Sequence, residues 1–261
     1  MIRGLRFLSA LWKANLLAAM EFRVAFFTQA IGMMLNNGVY FVFWVLFFDR
    51  FKEIRGWGLE EMFILFGLVA SGFGLGVFLF GNVMNLAELI SQGQLDYYLS
   101  LPQPVLLHTL ASRSQSSGIG DFTYGIISFC VAGQFSAGSL GRFVLGVLIS
   151  MLIFLSFLVL VQSLAFWVGN AQLVSGNAVN AIITFAIYPI NLFEGSARFL
   201  LFTVIPAAFV GALPAEMVTH FSWISFFKLL LGAVVFLALA LAAFYTGLRR
   251  YESGSAIQTQ A

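Results

Sequence analysis

Residues 143–193 read FVLGVLISMLIFLSFLVLVQSLAFWVGNAQLVSGNAVNAIITFAIYPINLF and contain no charged side chain across 51 positions. The hydrocarbon core of a bilayer is about 30 Å thick and a helix rises about 1.5 Å per residue, so one span needs about 20 residues. The stretch is too long for one crossing and long enough for two. Small and amide residues from Gly169 to Asn177 predict the fold-back, because they satisfy turning backbone at the membrane surface. We therefore assign residues 143–168 and 177–193 to two spans.

Four further charge-free runs have the length of a span, and they cover residues 24–48, 62–87, 122–141 and 229–248. The spans assigned to them are residues 24–48, 62–82, 120–138 and 229–248. The apolar stretch 199–215 is too short for a span and carries Pro206 and Pro214, which favours a re-entrant segment at the outer surface before the last span. Residues 3–23 place apolar side chains along one helical face beside charged ones, which is typical of an interfacial helix. The sequence thus predicts an all-α polytopic membrane protein, with a single transmembrane domain over residues 1–261 and six spans.

The composition independently requires a membrane. Of 261 residues, 61% are hydrophobic and 9% are charged, whereas about 25% are charged in a soluble domain. A net charge of +2 offers no basic surface, so we expect membrane lipid and no nucleic acid as a partner. A single cysteine, Cys130, and two separated histidines exclude an intrachain disulfide and a Cys/His metal site.

The distribution of cations indicates the orientation in the membrane. Six spans place both termini on one side, and with the termini inside, seven cations face the cytoplasm and six face outward. Four of the seven precede the first span, which usually dominates orientation. We therefore expect both termini to be cytoplasmic. On the outer side, Glu194 and Arg198 have the four-residue spacing of an ordinary surface ion pair.

Catalytic chemistry is not indicated by the sequence. The chain contains no Gly-Lys dipeptide, so it lacks the phosphate-binding loop of a nucleotide hydrolase. His108 and His220 lie outside the predicted spans, which leaves Ser71 in the second span without a base for intramembrane proteolysis. We expect a protein that is not an enzyme and binds no cofactor.

A few small or polar side chains interrupt the predicted spans, and each has two possible roles. Asn36 and Asn37 lie mid-span and either line a substrate pathway or form hydrogen bonds between helices. Gly72 and Gly76 have the four-residue spacing that permits close helix packing within or between subunits. Because the spans are taken from charge-free runs, no ionisable side chain is expected inside them.

The connection between spans two and three, residues 83–117, is the most informative polar segment. Its sequence predicts a short helix ended by Gly93, followed by QLDYYLSLPQP at residues 94–104. Aromatic residues and leucines alternate there with polar groups, which is typical of a docking surface for another protein; a loop lying on lipid headgroups is the alternative. Leu95 and Tyr98 are expected to be its apolar anchors, and Asp96 a charged contact or a cap of the local turn. The candidate coupling residues are Glu88, Gln94, Leu95, Asp96, Tyr98 and Leu99.

Residues 93–102, GQLDYYLSLP, resemble the Gly-x-Leu-Asp-x-Tyr-Leu stretch and following proline of the membrane subunits of ABC-2 type ATP-binding cassette transporters. A second similarity lies downstream, at Tyr188-Pro189, Arg198, Ile205-Pro206-Ala207 and Leu213-Pro214-Ala215. The resemblance covers essentially the whole chain.

The resemblance implies a permease that pairs with a second permease, identical or paralogous, and docks on two copies of a separate cytoplasmic ATPase. It implies ATP-driven export across the cytoplasmic (inner) membrane of a bacterium, with the cargo left open. Two other functions remain possible: a non-transporting membrane scaffold or assembly protein, and a secondary transporter driven by an ion gradient.

Overall fold

A computed structural model describes the backbone of residues 2–169 and 171–252, and the side chains from residue 4 onward in those ranges. Within these ranges the chain forms fourteen α-helices, two short 3₁₀ helices and no β-strand, which confirms the all-α class. The α-helices are α1 (Ile2–Glu21), α2 (Arg23–Arg50), α3 (Leu59–Phe80), α4 (Leu86–Ser91), α5 (Leu95–Leu99), α6 (Val105–Ala111), α7 (Ser117–Val131), α8 (Ala137–Gln162), α9 (Ala165–Val168), α10 (Gln172–Ala186), α11 (Gly195–Thr203), α12 (Ala207–Val210), α13 (Ala212–Thr219) and α14 (Trp223–Leu248). The 3₁₀ helices are Gly81–Asn85 and Ile190–Leu192.

Four helical segments of the described chain are long and apolar enough to cross a membrane. They are Arg23–Arg50, Leu59–Ser91, Ala137–Val168 and Trp223–Leu248. A fifth crossing results if α11 and the α12–α13 helix, which meet at a 64° bend, form one broken span; a re-entrant loop is the other reading of this pair. The two remaining predicted spans coincide with α7 and α10, each of 15 residues. The number of spans is thus four or five by length and composition, and six spans remain a prediction.

The observed turn between α9 and α10 is shorter than the predicted fold-back at Gly169–Asn177. Gly169 has φ of 74°, which favours glycine, and α10 already begins at Gln172. The residues from Ser175 to Asn177 are therefore helical, and their backbone groups are satisfied within the helix. Asn170, the second residue of the predicted turn, lies outside the described residues, as does the tail after residue 252.

Helix α10 also ends earlier than the predicted boundary at residue 193. It stops at Ala186, just before Tyr188-Pro189, because proline lacks a backbone N–H and disfavours helical geometry in the residue before it. Proline has the same effect at Pro206, which follows the end of α11. These prolines explain why residues 187–219 are built from short helical pieces.

The connection between α7 and α8 also differs from the prediction. Helix α7 ends at Val131, and Gly133 turns the chain with φ of 77°. The Ser136 hydroxyl then accepts a hydrogen bond of 3.0 Å from the backbone N–H of Ser139, which caps α8. Helix α8 therefore begins at Ala137, before the predicted start at residue 143.

Helix α3 is the central helix of the bundle and packs closely on both α7 and α8. A Cβ atom at Gly74 would lie 2.5 Å from the carbonyl oxygen of Gly118 in α7, and one at Gly125 would lie 2.6 Å from the carbonyl oxygen of Gly67 in α3. On another face of α3, a Cβ at Gly72 would lie 3.0 Å from the Cβ of Ser150 in α8. Small residues thus let the backbones approach, as in other membrane helix pairs.

The loop after α2 is fixed to the segment after α10. Ile54 and Trp57 exchange two backbone hydrogen bonds around a tight turn, in which Arg55 has φ of 50°. The Arg55 guanidinium forms an ion pair with Glu194 and donates a 2.9 Å hydrogen bond to the carbonyl of Asn191. The expected Glu194–Arg198 pair is therefore wrong: Glu194 pairs across the loops with a residue distant in sequence.

Helix α1, which the sequence predicts to be interfacial, is attached to the bundle by two polar side chains. The Trp12 indole N–H donates to the carbonyl of Leu79 at 2.8 Å, and the Asn15 amide donates to the carbonyl of Ala111 at 2.9 Å. Both acceptors lie near helix ends, where carbonyls have no partner within the helix. We refer to this end of the bundle, which carries α1, α4, α5 and α6, as the coupling end.

Candidate coupling site

The coupling segment is a succession of short helices with a sharp reversal at Gly93. The 3₁₀ helix Gly81–Asn85 leads into α4, and Gly93 has φ of 72°, a conformation that glycine adopts without a steric penalty. The N–H of Gln94 donates to the carbonyl of Leu89 at 2.9 Å, which closes the end of α4 and directs the chain into α5. The predicted helix end at Gly93 is therefore present.

Helix α5 buries one of its faces against its own chain. Leu95 is 0% exposed, and the Tyr98 hydroxyl lies 2.9 Å from the hydroxyl of Ser112. Tyr97 and Leu99 point away from the bundle, with 64% and 43% of their surface exposed. Leu95 and Tyr98 thus hold α5 in place, and the apolar surface open to another molecule comes from Tyr97 and Leu99.

The ring of His108 links α5 to α1. Phe7 of α1 packs edge-on against it at 4.9 Å between ring centroids, and Tyr98 packs edge-on at 5.2 Å. His108 is 8% exposed, and burial lowers the pKa of its imidazole, so the ring is held neutral between two aromatic side chains. His108 therefore contacts both α5 and α1.

Two buried amides fasten the start of the segment to the neighbouring helices. Gln162 of α8 is 3% exposed; its carbonyl accepts the N–H of Ala87 and its NH₂ donates to the carbonyl of Met84, each at 3.0 Å. Asn82 donates to the carbonyl of Thr109 at 3.0 Å, which ties the same turn to α6. These side chains replace the backbone hydrogen bonds that are lost where α3 changes direction into α4.

The residues that follow α14 also reach α5. The ring of Tyr251 packs on Phe166 of α9 at 6.2 Å, and its hydroxyl faces the Asp96 carboxylate and the backbone amides of Leu95 and Asp96. Burial, followed by the neighbouring carboxylate, raises the pKa of Tyr251 to about 12, so the phenol stays protonated. Asp96 thus has contacts within its own chain, and both roles predicted for it, charged contact and cap, remain predictions.

A second polar group lies within the bundle, far along the chain from α5. The Asn37 NH₂ donates to Asp121 Oδ1 at 2.6 Å, and Asp121 is 2% exposed in α7. The expectation that no ionisable residue lies inside a predicted span is therefore wrong. It fails because the charge-free run begins at residue 122, whereas the predicted span 120–138 and helix α7, which begins at Ser117, both include Asp121. Asn36, its neighbour on α2, is exposed.

Comparison with known proteins supplies the family. A model of a family described as ABC-2 family transporter protein matches residues 34–255, which is most of the chain. The chain belongs to the ABC-2 transporter family. No curated protein and no solved structure matches it significantly. With its apolar helices, the family assignment makes the chain an integral membrane protein and a transport permease.

In the ABC-2 permease, the six predicted coupling residues lie in one continuous segment. They occupy α4, α5 and the turn between them, where Glu88 accepts a 2.9 Å hydrogen bond from Gln92, and Gln94 donates to Gln92 at 2.6 Å. Gly72 and Gly76 lie elsewhere, on the α3 face toward α8 of the same chain. Asn36 and Asn37 lie on α2, within the bundle.

Several residues of the permease's coupling end were not among the predicted ones. They are Tyr97, His108, Ser112, Gln162 and Tyr251. Gln162 had a readable signal, since an amide inside an apolar run must find hydrogen-bond partners. Tyr97 stood in the aromatic stretch 94–104 but was not chosen from it, and His108, Ser112 and Tyr251 gave no signal, because their contacts are with other helices.

Proposed function

We propose that the permease is the membrane subunit of an ATP-driven exporter, and that the outward face of α5 docks on a cytoplasmic ATPase. The observation that carries the proposal is the orientation of α5, which exposes Tyr97 and Leu99 while Leu95 and Tyr98 fix it to the bundle. Exposed aromatic and aliphatic side chains on a rigid support are typical anchors of a protein interface. The absence of a Gly-Lys dipeptide supports a separate subunit for ATP hydrolysis.

The contacts of α5 give a physical route for coupling. An ATPase can shift the permease between two states only through contacts that differ between them. Movement of α5 would act on α1 through His108, on α8 through α4 and Gln162, and on α14 through Tyr251. One docking helix is therefore connected to helices on several sides of the bundle.

A second permease, identical or paralogous, is expected at α2. This helix exposes a long apolar face, to which Phe27, Ile31, Leu35 and Val39 contribute. Asn36 interrupts that face, and an amide in an apolar environment is stabilised by a polar partner or a hydrated pathway. We propose that two such faces form the transport pathway between the subunits, above two copies of the ATPase.

The proposed topology has both termini in the cytoplasm and the protein in the inner membrane of a bacterium. With Cys130 replaced by serine, we expect Gln94→Cys to react with a membrane-impermeant thiol reagent only after the membrane is opened. Ser196→Cys, in the exposed start of α11, should react in intact cells. The reverse pattern of labelling would contradict the orientation.

Co-purification tests the function directly. Affinity purification of the wild-type chain in a mild detergent, followed by mass spectrometry, should recover an ATP-binding cassette ATPase. Tyr97→Ala with Leu99→Ala should lower its recovery by about tenfold or more, because two anchor side chains are lost. Leu231→Ala with Val234→Ala, which removes the same kind of exposed surface from α14, should leave the recovery unchanged.

The other functions give different results in this experiment. A scaffold protein would be recovered without an ATPase, and a secondary transporter would move its substrate on an ion gradient in the absence of ATP. Either result would contradict the proposal.

A further inference from the structure

A polar cavity lies between the start of the coupling segment, the end of α8 and the first half of α10. Its volume is about 370 Å³, which is within the range of about 300–1,000 Å³ that is typical of small-molecule sites. Gln172 and Asn180 in its wall are exposed, so the cavity opens at the surface of the bundle. A ligand therefore has both room and access. The cavity is lined by Met84, Glu88, Gln162, Gln172, Ser175, Gly176, Val179 and Asn180.

The wall of this cavity contains an acid without a basic partner and a hydroxyl without a hydrogen bond. Glu88 is half-buried; it accepts a hydrogen bond from Gln92, and no described basic side chain forms an ion pair with it. Ser175 is 3% exposed, and its Oγ is buried without a hydrogen-bond partner among the described residues. A buried polar group without a partner is costly, and a bound molecule that supplies the partner removes the cost. The cavity thus offers a negative charge and unused hydrogen-bonding capacity.

The position of the cavity places it at the level of lipid headgroups. Two segments long enough to cross a membrane, Leu59–Ser91 and Ala137–Val168, come to their ends beside it, and α10 begins there. Next to the lining residues of α10, Leu173 and Val174 are 77% and 55% exposed. Exposed apolar side chains of a membrane protein contact the acyl chains of lipids. A ligand with a polar head and an apolar tail therefore matches both the cavity and its surroundings.

The side chains of the wall discriminate between lipid headgroups. A primary ammonium group carries a positive charge and donates three hydrogen bonds, which suits a carboxylate, amide carbonyls and a hydroxyl. A choline group donates none and is typically bound by aromatic rings, and no aromatic side chain is among the described residues of the wall. An anionic headgroup without an amine would be repelled by Glu88, and no described basic side chain lines the cavity to bind it.

We propose that the cavity binds the headgroup of phosphatidylethanolamine, with its ammonium group at Glu88 and its phosphate toward the start of α10. Helix α10 has 15 residues, and its first residue, Gln172, lines the cavity. The first backbone N–H groups of a helix have no acceptor within the helix, and the positive end of its dipole favours an anion. The bound headgroup joins α4 to α10. Its binding does not depend on the proposed function, whereas a role in coupling does.

Native mass spectrometry of the purified permease tests the proposal. The delipidated chain is titrated with palmitoyl-oleoyl phosphatidylethanolamine, phosphatidylcholine or phosphatidylglycerol, and the Kd of the first bound lipid is determined for each. We expect phosphatidylethanolamine to bind about tenfold or more tightly than the other two, because only its headgroup forms a charged hydrogen bond with Glu88. Free O-phosphoethanolamine should compete only weakly, since it lacks the acyl chains. Equal Kd values for the three lipids, or a free headgroup that binds as tightly as the lipid, would overturn the proposal.

Two variants locate the site. Glu88→Gln removes the charge but keeps an acceptor for Gln92, and it should lower the preference for phosphatidylethanolamine about tenfold. Gly176→Leu should do the same by filling the cavity. A Cβ at Gly176 would have no heavy atom within 4 Å, so the larger side chain enters open space and the variant should fold. Glu53→Gln and Gly141→Leu, at exposed positions away from the cavity, are the matched controls and should bind the lipids as the wild type does.

The variants also separate this proposal from the proposed function. A preference for phosphatidylethanolamine that survives in both Glu88→Gln and Gly176→Leu would place the lipid elsewhere and overturn the proposal. If Glu88→Gln does not fold, Gly176→Leu decides in the same way. If the preference is lost in the variants but no ATPase co-purifies with the wild type, the proposed function fails while the lipid site stands.

Discussion

Replacing Gly125 with leucine should prevent the permease from folding. A Cβ at this position would lie 2.2 Å from Ser71 Oγ and 2.6 Å from the carbonyl oxygen of Gly67, so a larger side chain meets the backbone of α3. Overpacking a core typically costs about 1–3 kcal/mol, and more where backbone must move. We expect no monodisperse protein in detergent, as measured by fluorescence-detected size-exclusion chromatography.

Gly141→Leu is the matched control for this prediction. Gly141 lies on the exposed side of α8, where a Cβ would have no heavy atom within 4 Å, so the variant should elute as the wild type does. Gly76→Ala should also be tolerated, because its new Cβ would make an ordinary contact of 3.4 Å with Met151. Normal folding of Gly125→Leu would show that α3 and α7 are not packed as closely as described.

Replacing Gln162 with leucine should separate ATP hydrolysis from transport. The change removes the side-chain partners of the buried N–H of Ala87 and of the half-buried carbonyl of Met84. An unsatisfied buried group costs about 1–3 kcal/mol, and the half-buried carbonyl costs less. This loss is local to the junction of α4 and α8, and the outward face of α5 is unchanged. We expect the ATPase to co-purify at wild-type levels while transport per ATP hydrolysed falls about tenfold.

Transport and ATP hydrolysis must be measured together in reconstituted vesicles to test this prediction. Gln29→Leu, a change of the same kind at an exposed position on α2, should leave their ratio unchanged. A Gln162→Leu variant with wild-type coupling would exclude α8 from the route between the ATPase and the spans.

Charge patterns predicted the positions of most helices, but not how the helices pair. The runs without charge identified α2, α3, α8 and α14, because burial in lipid constrains every residue of a span. The turn at Gly169 was placed too broadly, since small and amide residues are compatible with both a turn and a helix. Pro189 indicates the end of α10 near Ala186, but the predicted boundary at residue 193 was placed from the charge pattern alone.

In the proposed coupling site, too, some features could be predicted from the sequence and others could not. The proposed location of this site rests on polar and aromatic residues outside the spans, and the helix end at Gly93 followed from glycine's conformational freedom. The inward direction of Leu95 did not follow, because a five-residue helix between two turns has no periodicity that distinguishes its faces. Asp121 was missed for a different reason: a search for charge-free runs excludes the intramembrane charges that matter most.

Photo-cross-linking from position 97 tests the central claim most directly. Tyr97 is replaced with p-benzoylphenylalanine, the complex is purified in its intact form and irradiated, and the cross-linked chains are identified by mass spectrometry. Because Tyr97 is 64% exposed on the outward face of α5, we predict a cross-link to the ATPase. The same photo-reactive residue at Phe199, which is 66% exposed in α11, should give none. A purified complex that contains the ATPase but shows no cross-link from position 97 would contradict the claim that α5 is the docking helix.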